Sequence, residues 1–414
     1  MDQIKLEEYA RLIVDQGLNV KARQLVVISA PVEAKALVRA VSKAAFERHA
    51  GDVVVRYKDD VVEKERLEHA DDAAFDHVPD YDALFFNETA KDGACYLSIT
   101  GNDPDLMKGV DMTRLVEYRA KLREATKLQH DKLDHMEAQW CVAACATPGW
   151  AQKVYPELSF HDAIERLWNA IFDACRVEPG KTKENWERHN ASFVKKVDLL
   201  NGLDIASLHY KNKRGTDLVV KLPDGYRFAG GSSTLRDARH TVYFPNIPTE
   251  EVFSAPYKYG VDGVLYATMP LIYNGSVIED FHFRFQEGKV VDFDARTGRD
   301  VLEAILKSDR NAAYLGEVAL VPVDSPISKM DTIFYNTLFD ENASCHFALG
   351  AAYLECVCDG LELREDQMDA VGLNDSRVHV DFMVGSEDLS IVATLKNGAK
   401  VDVFKNGNWV PEFE

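Results

Sequence analysis

Two histidines and several carboxylates stand in distinctive phrases toward the C-terminal end of this 414-residue chain. His346 lies in NTLFDENASCHFALGAAY (336–353), and His379 and Asp381 lie in HVDF (379–382). Upstream, Glu251 falls in PTEEVFSAP and Glu317 in LGEVALVP. Imidazoles and carboxylates together are what a divalent metal site requires. Neutral imidazole suits zinc, cobalt and nickel; carboxylate oxygens suit manganese, magnesium and also zinc. His379 and Asp381 are two apart in an apolar run, and on a strand such residues share a face. His346, Gly350 and Tyr353 fall at i, i+4 and i+7, which predicts one face of a helix, with Gly350 leaving room for an ion or substrate. Glu317 heads the apolar run Val318–Val321, where a carboxylate is costly to bury unless paired or metal-bound. Glu251 follows Pro248 and Thr249 in a turn-rich segment.

Taken singly, each residue has an ordinary reading. A lone histidine is more often hydrogen-bonded in a core or on a surface than a ligand. The pair Glu250-Glu251 fits a charged helix start capped by Thr249, and Tyr353 fits a core aromatic. The seven cysteines (95, 141, 145, 175, 345, 356 and 358) lie scattered in apolar contexts. Neither Cys356-Val357-Cys358 nor Cys141 with Cys145 has a partner pair at zinc-site spacing, so buried, reduced thiols and a cytoplasmic location are expected.

Composition narrows the class. Hydrophobic residues make up 46% and charged residues 28%, as in a soluble globular protein. A formal net charge of −20 argues against nucleic acid, which needs a cationic face. The opening MDQIKLEEYARLIVDQGLNV lacks the apolar core of a signal peptide, and no run of 18 apolar residues suggests a membrane span.

The elements that must position the site change character along the chain. Helical spacing over Leu6–Leu18, the apolar run Gln24–Ala30, helical spacing over Ala34–His49 and the run Asp52–Tyr57 predict a parallel βαβ unit. Its first turn is Pro31-Val32-Glu33, which has no glycine-rich phosphate cradle, so a nucleotide site is rejected. Further strands are expected at Asp82–Asn87 and Glu137–Ala144, and helices at Asp111–His130, Phe160–Cys175 and Lys181–Val197. Beyond Gly202 the period shortens. Strands are expected at Asp217–Leu222, Val264–Met269, Ile278–Gln286, Val290–Ala295 and Val378–Met383, with a hairpin turning at Asn397-Gly398. The predicted class is α+β: an N-terminal α/β domain (1–200) with a mostly parallel sheet, and a C-terminal β-rich domain (201–414) carrying a dinuclear metal site.

The phrases NIPTEEVFSAP, YLGEVALVP, FDENASCHFALGAAY and NDSRVHVDFMVG, in this order over 246–385, closely resemble the M29 metallopeptidases, the family of aminopeptidases T and S. The opening helix with GLNV and QLVVISAP is also similar to the family's start, so the likeness runs over nearly the whole chain. It implies two divalent ions per subunit (zinc, cobalt, manganese or magnesium) held by Glu251, Glu317, His346, Tyr353, His379 and Asp381. It further implies a metalloaminopeptidase that uses a hydroxide held by the two ions to remove single N-terminal residues from short peptides. A homodimer with enclosed active sites is also implied.

Glu317, Tyr353 and Glu250 are the catalytic candidates under that resemblance. Glu250 is the alternative register for Glu251; with Glu251 as ligand, Glu250 is left to move a proton or support a ligand. Tyr353 would ligate as phenolate or donate to the developing oxyanion. Two other readings stay open: another dinuclear amide hydrolase, such as a carboxypeptidase or dipeptidase with Lys329 or Arg377 taking the substrate carboxylate, and a non-catalytic metal or peptide binder.

Overall fold

The computed structural model describes residues 1–273 and 276–413. By compactness the chain divides into two units that interleave. The first is Met1–Glu187 with Ser232–Pro248, and the second is Arg188–Gly231 with Thr249–Glu414. The single boundary expected at residue 200 falls inside the helix Thr182–Gly202.

The first unit is built on a parallel sheet. Helix α1 (Gln3–Leu12) precedes β1 (Leu25–Pro31), α2 (Lys35–Glu47) and β2 (Asp52–Lys58). β1 and β2 pair in parallel from Leu25↔Asp52 to Pro31↔Lys58, the expected βαβ unit. β1 is buried along most of its length because helices cover the sheet, which explains its unbroken apolar run. The segment Asp82–Asn87, expected as a strand, lies instead within α3 (Asp80–Lys91). Its four apolar residues are too few to reveal a period, and Pro79 followed by Asp80 and Asp82 is the helix-start signal that decides it. The strand that follows is β3 (Cys95–Thr100), which joins β1 to β4 (Trp140–Ala144). The expected helix over 111–130 is two helices, Thr113–Ala125 and Lys127–Asp134. They meet at Thr126, whose hydroxyl turns back to donate to the Leu122 carbonyl at 2.7 Å.

The second unit carries antiparallel sheets. A nine-stranded sheet runs from Leu271–Tyr273 through Ser276–Gln286, Val261–Tyr266, Asp217–Lys221, Ile205–Lys211 and Ser390–Leu395 to the C-terminal strands. A smaller sheet has five strands: β5 (Ala229–Gly230), β6 (Val252–Ser254), β7 (Leu315–Leu320), β8 (His346–Gly350) and β9 (His379–Met383). Their spatial order is β9-β8-β7-β6-β5.

One face of this smaller sheet feeds the apolar core. Val318, Leu320, Phe347, Leu349, Val380 and Phe382 all join the core cluster, with Phe283 and Phe382 ring centroids 5.1 Å apart. The opposite face holds what alternates with them: Glu317 and Ala319, His346, Ala348 and Gly350, His379 and Asp381. On β7, β8 and β9 the large apolar residues of the core cluster thus alternate with the polar or small residues of the site.

All seven cysteines are free; Cys358 is exposed and the other six are buried. Among the described residues no helix is long and apolar enough to cross a membrane.

Candidate metal centre

The sheet register assembles the site. Ala348 on β8 pairs with Glu317 on β7 and with Asp381 on β9, so the two carboxylates flank a single methyl group. Gly350 pairs with His379 one step along. Small residues between the functional ones leave the space that they share.

His346 is not on a helix. Residues 346–350 form β8, and Tyr353 lies beyond its end, so the expected helical face of His346, Gly350 and Tyr353 does not exist. The cause is that every residue of β8 is buried, on one side in the core and on the other under the site. A fully buried stretch matches a helical spacing by chance as easily as a strand's. The large-small alternation of Phe347 and Leu349 with His346, Ala348 and Gly350 carries the strand signal.

Two groups of three ligand atoms result, each with its atoms within 4.8 Å of one another: Glu251, Glu317 and His346, and Glu317, His379 and Asp381. Glu317 belongs to both. His346 Nε2 lies 3.1 Å from Glu251 Oε2, and His379 Nε2 lies 3.1 Å from Glu317 Oε2 and 3.2 Å from Asp381 Oδ1.

Each ring is fixed from behind. His346 Nδ1 is 3.0 Å from the Ser344 carbonyl and His379 Nδ1 is 2.8 Å from the Ala351 carbonyl. A carbonyl only accepts, so both Nδ1 atoms carry the proton. In neutral rings Nε2 then presents a lone pair to carboxylate oxygens. A proton or a cation must lie between them, and this is the arrangement that holds metal-binding imidazoles.

The electrostatics point the same way. Burial alone would lower the His346 pKa, but the bond to Glu251 and the charges of Glu251, Glu317 and Asp381 push it up to about 10. Burial likewise opposes protonation of His379, and Asp381 and Glu317 overcome it. Asp381 is held below the usual carboxylate range despite burial, chiefly by the charge and hydrogen bond of His379. Burial first, then the neighbouring carboxylates, push the Glu317 carboxyl up, although His379 opposes this.

Two further carboxylates were missed from sequence. Burial, followed by the charges of Asp381, Glu251 and Glu317, pushes Glu341 well above its ordinary value. Burial and the charges of Glu317 and Glu251 push Glu355 to about 7. Glu341 stands in the quoted phrase, in ENASC, and Glu355 two residues beyond its end, in YLECV; nothing in either setting separates them from solvated acids. Five carboxylates (Glu251, Glu317, Glu341, Glu355 and Asp381) therefore influence one another around two imidazoles, a concentration of acids suited to divalent cations.

Tyr353 lies against His379, ring centroids 5.0 Å apart, and against Phe253 at 5.7 Å. The residue is 43% exposed, yet desolvation is the largest influence on its hydroxyl. That desolvation, with the charges of Glu317 and Asp381, pushes the phenol well above its ordinary pKa. Glu250 is outside both groups of three. Its backbone N–H donates to Asn342 Oδ1 at 2.6 Å, and its carboxylate lies 4.0 Å from His189 Nε2. Lys329 is engaged with Asp324 at 3.2 Å, and the backbone N–H of Arg377 donates to Asp309 at 2.7 Å.

The thermophilic metalloprotease (M29) family model matches residues 2–409. The chain belongs to the M29 metallopeptidase family. Aminopeptidase AmpS of Bacillus subtilis is 41% identical over 405 residues, covering 98% of each chain. Aminopeptidase T of Thermus aquaticus is 37% identical over 410 residues, covering 98% of each. The solved structure of wild-type AmpT from Thermus thermophilus superposes with a TM-score of 0.90 at 35% identity, covering 98% of this chain and 99% of that one. A 2,5-dihydroxypyridine dioxygenase from Pseudomonas putida gives a TM-score of 0.51 at 12% identity, a likeness of fold alone. As an M29 member the protein is a hydrolase of the metalloaminopeptidase kind.

Proposed function

We propose that this metalloaminopeptidase works through a dinuclear centre in its C-terminal β-rich part and removes single N-terminal residues from short peptides. The observation that carries this reading is the sharing of Glu317 between two groups, each with an imidazole whose Nδ1–H is fixed on a main-chain carbonyl. Glu251, Glu317 and His346 would hold one ion, and Glu317, His379 and Asp381 the other. Zinc, cobalt, manganese and magnesium all suit such a donor set. When bound, the two ions supply Lewis acidity toward the scissile carbonyl and bring the pKa of a water toward neutrality.

The protein's own groups do the rest. The Ser344 and Ala351 carbonyls keep the imidazoles oriented. Tyr353 is the sixth donor of the set, and its raised pKa favours a phenol that donates to the carbonyl oxygen as negative charge develops. Glu341 or Glu250 would carry a proton toward the leaving amine. The surplus of acids attracts the free α-ammonium of the substrate, which fixes the cut one residue in. A carboxypeptidase would need a cation beside the centre; Lys329 already pairs with Asp324.

The test is a mixed peptide set incubated with metal-loaded enzyme and read by mass spectrometry. Stepwise loss from the N-terminus, blocked by N-acetylation, is expected. Loss from the C-terminus, or equal cleavage of acetylated peptides, overturns the reading. A cytoplasmic homodimer completes the proposal; a 46.5 kDa particle in sedimentation at micromolar concentration would remove the dimer.

A further inference from the structure

Gly316 precedes the shared carboxylate, at an irregularity in β7. Against β8, Leu315 pairs with Leu349 and Glu317 with Ala348, so Gly316 is the extra residue of a bulge. A bulge re-aims the side chain beside it, here Glu317. Its φ is not positive, so backbone conformation does not require glycine. Space does. A Cβ at 316 would lie 2.1 Å from the Ala351 oxygen and 2.4 Å from both the Ala351 carbon and the Gly350 oxygen. These are backbone atoms, which cannot rotate away as a side chain would.

The segment they belong to is tied on its other sides. Gly350 N–H donates to Tyr314 O at 2.8 Å, and Ala351 N–H donates to Val378 O at 2.7 Å. The fully buried Asn374 donates from Nδ2 to the Gly350 oxygen at 2.6 Å. Gly350 itself has a φ of 104°, and a Cβ there would lie 1.9 Å from Val378 O. The Ala351 carbonyl thus passes over Gly316 with no slack, and it is the acceptor for His379 Nδ1–H at 2.8 Å.

We infer that Gly316 is a positioning residue: its missing side chain lets the Ala351 carbonyl fix the His379 ring while the same bulge aims Glu317. One atom's absence sets two members of the group formed by Glu317, His379 and Asp381. The group formed with Glu251 and His346 depends on it only through Glu317. The metal half of this inference rests on the proposed dinuclear centre; the ring-orienting half does not.

The experiment compares Gly316→Ala with wild type in two ways. In metal-free protein, nitrogen NMR of labelled histidine reads the hydrogen bond made by His379 Nδ1–H. The wild type is expected to give the signature of Nδ1–H on a carbonyl, and Gly316→Ala to lose it. In cobalt titrations followed by absorption and by native mass spectrometry, the variant is expected to bind the second ion ~10–100-fold more weakly. It should retain most of its affinity for the first. In a His379→Ala background the same substitution should add a clearly smaller loss, the remainder coming through Glu317.

An unchanged His379 spectrum, or equal losses in both backgrounds, overturns the inference. Should Gly316→Ala fail to fold, Asn374→Ser loosens the same segment without adding an atom. It is expected to shift the His379 signal and weaken the second ion several-fold, and no change in either overturns the inference. Wild-type protein that binds no ion would overturn the dinuclear reading instead, and the histidine spectrum would still decide the positioning.

Discussion

Glu317 and Asp381 flank Ala348 on neighbouring strands, and both reach the same atom, His379 Nε2, at 3.1 and 3.2 Å. The two carboxylates converge because β8 puts a methyl where any larger side chain would hold them apart. A cation at that point would be shared among three donors fixed by sheet register, which makes the loss of any one expensive.

Asp381→Asn keeps the shape and removes the charge. The expected outcome is an affinity for the second ion at least ~10-fold lower, with turnover of an aminoacyl-4-nitroanilide abolished. The metal-free melting temperature should stay within a few degrees of wild type. Near-normal turnover, with full metal content confirmed, would refute Asp381 as a ligand.

The adjacent acids Glu250 and Glu251 separate cleanly. Glu251 reaches His346 Nε2, whereas the carboxylate of Glu250 lies toward His189. Glu251→Gln is therefore expected to weaken metal binding in a calorimetric titration. Glu250→Gln should leave it within a few-fold and act, if at all, on kcat. The opposite pattern would move the ligand register by one residue.

Much of this site was legible in the sequence because its chemistry sits on an alternating strand. In HVDF the apolar Val380 and Phe382 go to the core, which forces His379 and Asp381 to the other face. The same logic in HFALG was hidden by burial of both faces, so His346 fitted a helical spacing equally well. Glu341 and Glu355 were invisible because a buried acid and a solvated one look the same in a sequence; only the packing around them tells the two apart. In the first unit, the apolar residues Ala83–Phe86 suggested a strand, where the flanking Pro79 and Asp80 set a helix. The interleaved return of Ser232–Pro248 to the first unit is a long-range pairing, with Asn246 and Ile247 against β4, and carries no local signal.

Asp340 gives a pH test away from the ligands. Its carboxylate accepts from Phe334 N–H at 2.7 Å and from Asn336 N–H at 3.0 Å, yet burial outweighs these bonds and raises its pKa to about 7. A folded pKa above the unfolded value means the contribution to stability is fully present below about pH 4 and is lost as pH rises through about 7. Asp340→Asn cannot ionise. Urea unfolding of metal-free protein at pH 5 and pH 8 should therefore show a smaller decline in the variant. At pH 5 the variant should be less stable by ~1 kcal/mol, because one oxygen acceptor has become a donor. A decline equal to that of wild type would show that Asp340 ionises normally in the fold.

The shared carboxylate should also set a conflict between stability and function. Glu317 is buried among Glu251, Asp381 and His379, and burial with those carboxylates raises its pKa, so without metal the folded state favours its neutral form more than the unfolded chain does. Glu317→Gln supplies that neutral form permanently, and an amide oxygen can still accept from His379. Metal-free Glu317→Gln is thus expected to melt at or above the wild-type temperature at pH 8, where charging Glu317 costs most. Added cobalt or zinc should reverse the order. A ligand present at 100 times its Kd stabilises the fold by ~2.7 kcal/mol, and wild type has two groups to fill through one shared residue. The variant should gain far less and show no turnover. Equal metal-induced shifts in the two proteins would mean that Glu317 does not join the two groups.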